Sequence, residues 1–336
     1  MALMRAIQIS KPGGEFELVN REIPSPAANE VLIKVEACGV CHGEAVIKEG
    51  YFPNLIYPRI PGHEVIGTII KPGGEIDRWK VGEKVGVGWH GGHCFKCKEC
   101  LRGNFRNCEN TITTGVDRDG GYAEYMTARE EALVAIPDAL DHVKGAPLLC
   151  AGRTTFGALK FSGAQAGDIV AIHGLGGLGH LALQYAVKMG LKPVVLSRGT
   201  TKEQMAFNLG AYAYIDTTTK DAVKELNKLG GAKAIICLAQ NSKEISALTA
   251  GLRRHGKMVI VTAVNEPLQI SSNVFLGREC YLTGFAGGDI AETLDFSIFT
   301  NVIPMVEVFP LEEAAQAYQK MMNAKVLFRA VLTMNH

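Results

Sequence analysis

The sequence predicts an α/β protein in two parts: a β-rich, loop-rich region and a doubly wound parallel sheet. Three observations carry this. The first 145 or so residues hold short β-type runs separated by Gly- and Pro-rich turns. Beyond about residue 150, short apolar runs alternate with segments of helical period. A glycine-rich turn joins the first of these later strands to the first of these helices. A chain of 336 residues is also longer than one compact domain usually is.

In the first region "EVLIKVEA", "VIGTII" and "EKVGVGW" read as strands, with "KPGG", present twice, and "NREIPSPAANE" as turns. In the second, "DIVAIHG", "KPVVLS", "AYAYID", "AIICLA" and "KMVIVTA" read as buried strands. Between them "LGHLALQYAVKMG", "KEQMAFNLG", "DAVKELNKLG" and "KEISALTAGLRRHG" read as helices, three of them stopped at Gly190, Gly210 and Gly230. The tail, "LEEAAQAYQKMMNAKVLFRAVLT", reads as a helix and a strand that return to the first region. The expected boundaries are 1–150, 151–287 and 288–336, with a cysteine-rich lobe at about 90–110.

Composition narrows the function classes. Apolar residues make up 47% of the chain, enough for real cores, and 35 basic residues face 34 acidic ones without a basic block. Neither a nucleic-acid surface nor an anionic-membrane surface is expected. The start, "MALMRAIQIS", lacks a signal-peptide core, and no stretch approaches the ~20 apolar residues of a membrane span. A cytoplasmic protein is expected. In a reducing compartment, nine cysteines point to metal or catalysis rather than disulfides. Cys38, Cys237 and Cys280 read as small apolar residues.

"CFKCKECLRGNFRNC" places Cys94, Cys97, Cys100 and Cys108 on one loop. Four thiolates at this density suit a closed, tetrahedral, structural zinc site. An iron–sulfur cluster is the lesser rival, since ferredoxin spacings are similar but not the same. His90 and His93 read as bystanders, because four cysteines already complete a tetrahedron.

"HGLGGLGHLALQYAVKMG" follows the strand "DIVAI" and opens a helix. Gly174, Gly176 and Gly179 form G-x-G-x-x-G, with Gly177 and Leu178 inside the turn. Strand, glycines and helix stand in the order that brings a pyrophosphate to a helix N-terminus; a ligand-free tight turn is the alternative. An acid some 20 residues on would favour NAD. "VVLSRGTTKEQ" instead offers Ser197, Arg198 and Lys202, a hydroxyl and two cations suited to the 2′-phosphate of NADP(H).

Cys41 in "GVCHGEAV", His63 in "PGHEVIG" and Cys150 in "LLCAGRTTFG" supply two thiolates and an imidazole. Taken singly, His63 reads more readily as a structural residue and Cys150 as a core thiol. Together they form a known ligand set for a zinc that keeps its fourth position open.

At these residues the chain resembles the zinc-dependent medium-chain alcohol dehydrogenases, over essentially its whole length. "GHEVIGTIIKPGGEI" matches the family's zinc signature, the cysteine loop its structural-zinc lobe, and the glycine turn its cofactor domain. The resemblance implies a GroES-like catalytic domain and a Rossmann domain. It implies two Zn2+ per chain, the catalytic one held by Cys41, His63 and Cys150 with Glu64 beside it and Glu44 orienting His63. It implies that His42 and Arg329 contact cofactor phosphate, that Thr154 lies against the nicotinamide, and that Phe52 and Trp89 wall the substrate pocket. "LTGFAGGDIAETLDF" and "VIPMVEVFPLEEAAQAYQKMMNAKVLFRAVL" resemble the cinnamyl alcohol dehydrogenase branch, which uses NADP.

The expected function is hydride transfer between NADP(H) and a primary alcohol or aldehyde with an apolar or aromatic tail, in a homodimer or homotetramer. A polyol or secondary-alcohol dehydrogenase of the same superfamily is the rival within enzymes. A non-catalytic zinc-ribbon binding module is the rival outside them. Two positions depart from the family pattern: Gly43 stands where a relay Ser or Thr is usual, and Val46 where a histidine often ends the relay. Either Gly43 shortens the relay, and restoring a hydroxyl by Gly43→Ser is expected to raise alcohol oxidation, or it only relaxes the loop around Cys41.

Overall fold

The computed structural model describes residues 2–334; Met1, Asn335 and His336, within the expected first and last segments, lie outside the described residues. The chain forms two compact units. One comprises Met1–Cys150, Ile290–Phe299 and Ile303–His336, the other Ala151–Asp289 with Thr300–Val302.

The first unit is built on a sheet whose described strands run in the order Val306–Pro310, Arg329–Thr333, Glu30–Val40, Val65–Pro72, Lys84–Val87, Leu133–Ala135. Glu30–Val40 is its spine, pairing antiparallel with Val65–Pro72, Arg329–Thr333 and Tyr125–Arg129. Its near-continuous apolar run is buried, and Ile33, Val35, Val65, Ile69, Val85, Tyr122 and Leu332 belong to one core. Each fully buried aliphatic side chain contributes roughly 1.5–3 kcal/mol. This core fixes the register, because a one-residue slip would move each buried side chain to the opposite face of the sheet and break its packing.

Register also fixes the site. Cys38 pairs with Val65, and Ala330 with Val40. Cys41 at the end of the spine, His63 and Glu64 just before the neighbouring strand, and Arg329 at the start of the last one therefore gather at one end of three adjacent strands. Cys150 is delivered to the same unit by a buried 3-10 turn, Ala146–Leu149.

The second unit carries a parallel sheet, described in the order Ala213–Asp216, Lys192–Ser197, Ile169–His173, Ala232–Cys237, Leu252–Ile260, Tyr281–Gly284. Numbered along the chain this is 3-2-1-4-5-6, the Rossmann arrangement, with its reversal between Ile169–His173 and Ala232–Cys237. Two elements differ from the sequence reading. The helix expected through 243–256 stops at Leu248, and residues from Leu252 are already strand, bulged where they pair with Ala232–Ala234. Tyr281–Gly284 is a sixth strand, too short and too exposed to leave a hydropathy signal. Among the described residues no helix is long and apolar enough to cross a membrane.

Candidate active site

The spine strand ends at Cys41, which caps the turn His42–Glu44; its sulfur accepts the Gly43 N–H at 3.4 Å. The same sulfur lies 3.9 Å from that of Cys150. His63 and Glu44 are both almost wholly buried, with Nδ1 2.9 Å from a Glu44 carboxylate oxygen. Glu44 thereby fixes the ring and holds a proton on Nδ1. The other nitrogen, Nε2, is buried and has no hydrogen-bond partner among the described residues. Donor atoms of Cys41, His63, Glu64 and Cys150 all lie within 4.8 Å of one another.

This donor set fits a zinc ion. A buried imidazole with one nitrogen oriented by a carboxylate and the other facing two sulfurs is costly without a cation. Tetrahedral zinc with Zn–S bonds of about 2.3 Å holds its sulfurs about 3.8 Å apart, close to the spacing observed. The hydrogen bond between the two sulfurs holds the Cys41 pKa well below its ordinary value and drives that of Cys150 well above it.

Glu64 is fully buried and paired with Arg329 at 2.5 Å. Burial pushes its carboxyl up to about 7 despite that guanidinium. Its second oxygen and Arg329 Nε are left without partners among the described residues. Arg329, which the resemblance assigned to cofactor phosphate, thus has a buried carboxylate as its partner here.

Trp89 meets His63 edge-on, with ring centroids 4.7 Å apart and planes at 87°. Its position explains Gly43. A Cβ at residue 43 would stand 2.9 Å from His63 Cε1, closer than real Cβ atoms pack, and 3.0 Å from Trp89 Cζ3, tighter than most such contacts. The expectation that a serine could simply be restored there meets occupied space. Phe52 is half exposed on the loop after Ala45–Glu49, and His42 is exposed on its turn. Thr154 lies in the other unit, on the helix Ala151–Ser162.

The second cysteine cluster is equally compact. Sulfur separations are 3.5 Å for Cys94–Cys108, 3.9 Å for Cys97–Cys108 and 4.0 Å for Cys94–Cys100. Backbone N–H groups of Cys94 and Asn110 point at Cys108, and that of Cys100 at Cys97, the environment a thiolate requires. These spacings too match a four-sulfur zinc tetrahedron. His90 and His93 are bonded to each other at 2.9 Å, and His93 packs between Phe95 and Phe105. Neither belongs to the sulfur group.

In the second unit Gly174 takes φ +101°, a conformation that favours glycine, and Gly176 has open space where a side chain would stand. The helix Gly179–Lys188 begins without a side-chain cap. The N–H groups of His180, Leu181 and Ala182 bond to the Gly176 and Leu178 carbonyls, and the open space at Gly176 is where a pyrophosphate would approach this helix start. Lys202 is half-buried and donates to the carbonyl of Leu175 at 2.9 Å, within the same turn. Burial and the neighbouring Arg198 lower its pKa.

Sequence reasoning missed two residues here. Asp216 stands beside Ser197 in the parallel register and accepts the Gly199 N–H at 2.8 Å; the Tyr214 hydroxyl donates to the Gly199 carbonyl at 2.7 Å. A carboxylate therefore does adjoin the turn that was read as free of acids. Aligning the second and third strand ends would have found it.

Residues 27–138 match the family described as alcohol dehydrogenase GroES-like domain, and residues 177–306 the zinc-binding dehydrogenases. The chain is 42% identical to the alcohol dehydrogenase patD of Penicillium expansum, over 96% of this chain and 95% of that one. Among solved structures, a cinnamyl alcohol dehydrogenase of Sorghum bicolor superposes with a TM-score of 0.90 at 26% identity, covering 99% and 98% of the two chains. The CAD of Helicobacter pylori, solved with NADP(H), gives 0.86 at 27%, also over 99% and 98%.

Proposed function

This chain belongs to the zinc-binding medium-chain alcohol dehydrogenases, and from that premise we propose an NADP(H)-dependent enzyme for primary alcohols and aldehydes with apolar or aromatic tails. The coarser statement follows from membership: an oxidoreductase of small alcohols and aldehydes, served by zinc and a nicotinamide. One observation carries the finer reading of the site. Two sulfurs and an imidazole nitrogen without a hydrogen bond, from three remote segments, lie within 4.8 Å of one another, with only Cys150 partly exposed.

Cys41, His63 and Cys150 would hold the catalytic zinc, and Cys94, Cys97, Cys100 and Cys108 a structural one. Bound there, zinc supplies Lewis acidity toward the substrate oxygen, and a nicotinamide supplies or takes the hydride. The chain's own work is positional. Glu44 keeps the His63 proton on Nδ1, so that Nε2 presents its lone pair to the sulfurs. Arg329 balances the Glu64 charge in a dry environment. Trp89 covers the edge of His63, keeps water from it and offers an apolar wall to a substrate tail.

The cofactor reading rests on Ser197, Arg198 and Lys202, and the NADP(H)-bound CAD of H. pylori supports it. Hydrogen bonds to charged groups contribute about 1.5–3 kcal/mol, which implies a preference for NADPH of at least about tenfold. The test is a panel of aliphatic and aromatic aldehydes assayed with NADPH and NADH. Ser197→Asp combined with Arg198→Ala is expected to reverse the preference. Equal kcat/KM for both cofactors in the unchanged protein would remove the NADP reading. Oxidation of polyols at a higher kcat/KM than any primary alcohol matching these aldehydes would remove the substrate reading.

A further inference from the structure

We propose that Asp216 is a positioning residue for cofactor choice: it holds the Ser197–Gly199 turn in the shape that receives a 2′-phosphate. The proposal rests on the NADP reading above.

An acid beside the adenosine ribose would ordinarily do the opposite. In NAD-selective sites a carboxylate accepts the ribose 2′-hydroxyl and repels a phosphate there. Asp216 is not available for that role. Oδ1 accepts the Gly199 N–H at 2.8 Å, the Thr218 N–H at 2.9 Å and the Thr218 hydroxyl at 2.7 Å. Oδ2 accepts the Thr219 hydroxyl at 3.2 Å. Three donors crowd Oδ1, which has two acceptor positions, and one donor takes one of the two positions on Oδ2, so at most one acceptor position remains. The side chain is also buried.

What those bonds hold is specific. Gly199 sits at φ +71°, its N–H on Asp216 and its carbonyl on the Tyr214 hydroxyl. Both polar backbone groups of the residue that follows Arg198 are thus tied to the next strand. On the other side, Lys202 is tied to the Leu175 carbonyl of the glycine-rich turn. The two cations therefore flank a turn fixed from beneath, with Ser197 at its base. Fixing a turn before a ligand arrives spares the ordering cost at binding, which is how a residue that never touches the phosphate can set affinity for it.

Two accounts of Asp216 make opposite predictions. If it were a nearby negative charge, its removal would strengthen binding of a phosphate. If it is a scaffold, its removal weakens that binding. Calorimetry on the full chain with 2′,5′-ADP and with 5′-AMP reads this without hydride transfer. The unchanged protein should prefer 2′,5′-ADP by at least about tenfold. Asp216→Ala should reduce that preference about tenfold, or about 1.4 kcal/mol, with 5′-AMP affinity little changed. Asp216→Asn, which removes the charge and keeps the shape, should give a smaller loss and no gain. Tyr214→Phe removes the tie to the Gly199 carbonyl together with the Tyr214 hydroxyl's contact to Ser197; it should lower the preference a few-fold, so the test survives if Asp216→Ala fails to fold. A stronger preference in either Asp216 variant, or none of the three variants weaker, overturns the proposal while leaving NADP selectivity intact. No preference in the unchanged protein overturns both.

Discussion

The two groups of cysteines reach nearly the same sulfur spacing by opposite routes. Cys94, Cys97, Cys100 and Cys108 come from one continuous stretch with only the helix Lys98–Leu101 and a 3-10 turn for regular structure. Their cluster contains no buried apolar side chain besides the cysteines themselves, and Phe95, Leu101 and Phe105 around it are exposed. Cys41, His63 and Cys150 come from three distant segments, set at the end of a sheet with a large core of its own. In the lobe the metal would organise the chain. At the sheet end the chain organises the donors, adding an orienting Glu44, a paired Glu64 and a covering Trp89 that the lobe has no counterpart for.

The largest expected effect tests the first half of that contrast. Metal binding is folding energy where no preformed site exists, so Cys97→Ser should unfold the lobe and release one zinc per chain. Hydrogen exchange should show lost protection over residues 94–110, and thermal stability should fall sharply. A Cys97→Ser protein with full stability, full activity and one zinc fewer would mean that the lobe does not depend on its metal.

Cys150→Ser tests the second half. The core around the spine strand is untouched, so the midpoint of unfolding should shift by only a few degrees, about 1–2 kcal/mol. Activity should be nearly abolished and the other zinc lost. If this variant unfolds like Cys97→Ser, the two clusters do not differ in the way described. Glu44→Gln should have a milder effect: ten- to a hundredfold weaker metal binding at this site, the usual cost of losing the partner that orients a histidine ligand. Zinc release to a graded chelator, followed site by site, measures it.

The same contrast explains what was legible in the sequence. The lobe could be read from spacing alone, because all of its donors are local. The parallel sheet was legible because each buried strand is an apolar run between helical periods. The sheet-end site was legible only as three residue types in suggestive company, and it needed the resemblance to join Cys41, His63 and Cys150. What joins them physically is strand register, with Cys38 opposite Val65 and Ala330 opposite Val40, and register is a long-range property. Asp216 and Tyr214 were hidden for the same reason: they act on Gly199 across a parallel strand pair. The partner of Arg329 was hidden too, since nothing near "LFRAVL" points to Glu64.

The smallest expected effect concerns the one residue of this site that has no side chain. Gly43 read as a missing relay hydroxyl, and its environment makes it a packing position. The edge of His63 and the ring of Trp89 already fill the volume beside it, and His63 is a proposed zinc ligand. Overpacking a filled site typically costs 1–3 kcal/mol. Gly43→Ser should therefore lower stability by about that much and loosen zinc at His63, with activity down a few-fold rather than up. Trp89→Leu removes the obstructing ring, so Gly43→Ser in that background should cost clearly less, a coupling of at least about 0.5 kcal/mol. Unfolding midpoints and zinc content of the four proteins in this cycle give the answer independently of turnover. Additive effects, or a Gly43→Ser protein that is as stable as its parent and faster in alcohol oxidation, would restore the relay reading. Coupling through Trp89 would mean that this pocket is closed by a tryptophan at the point where the family commonly keeps a hydroxyl.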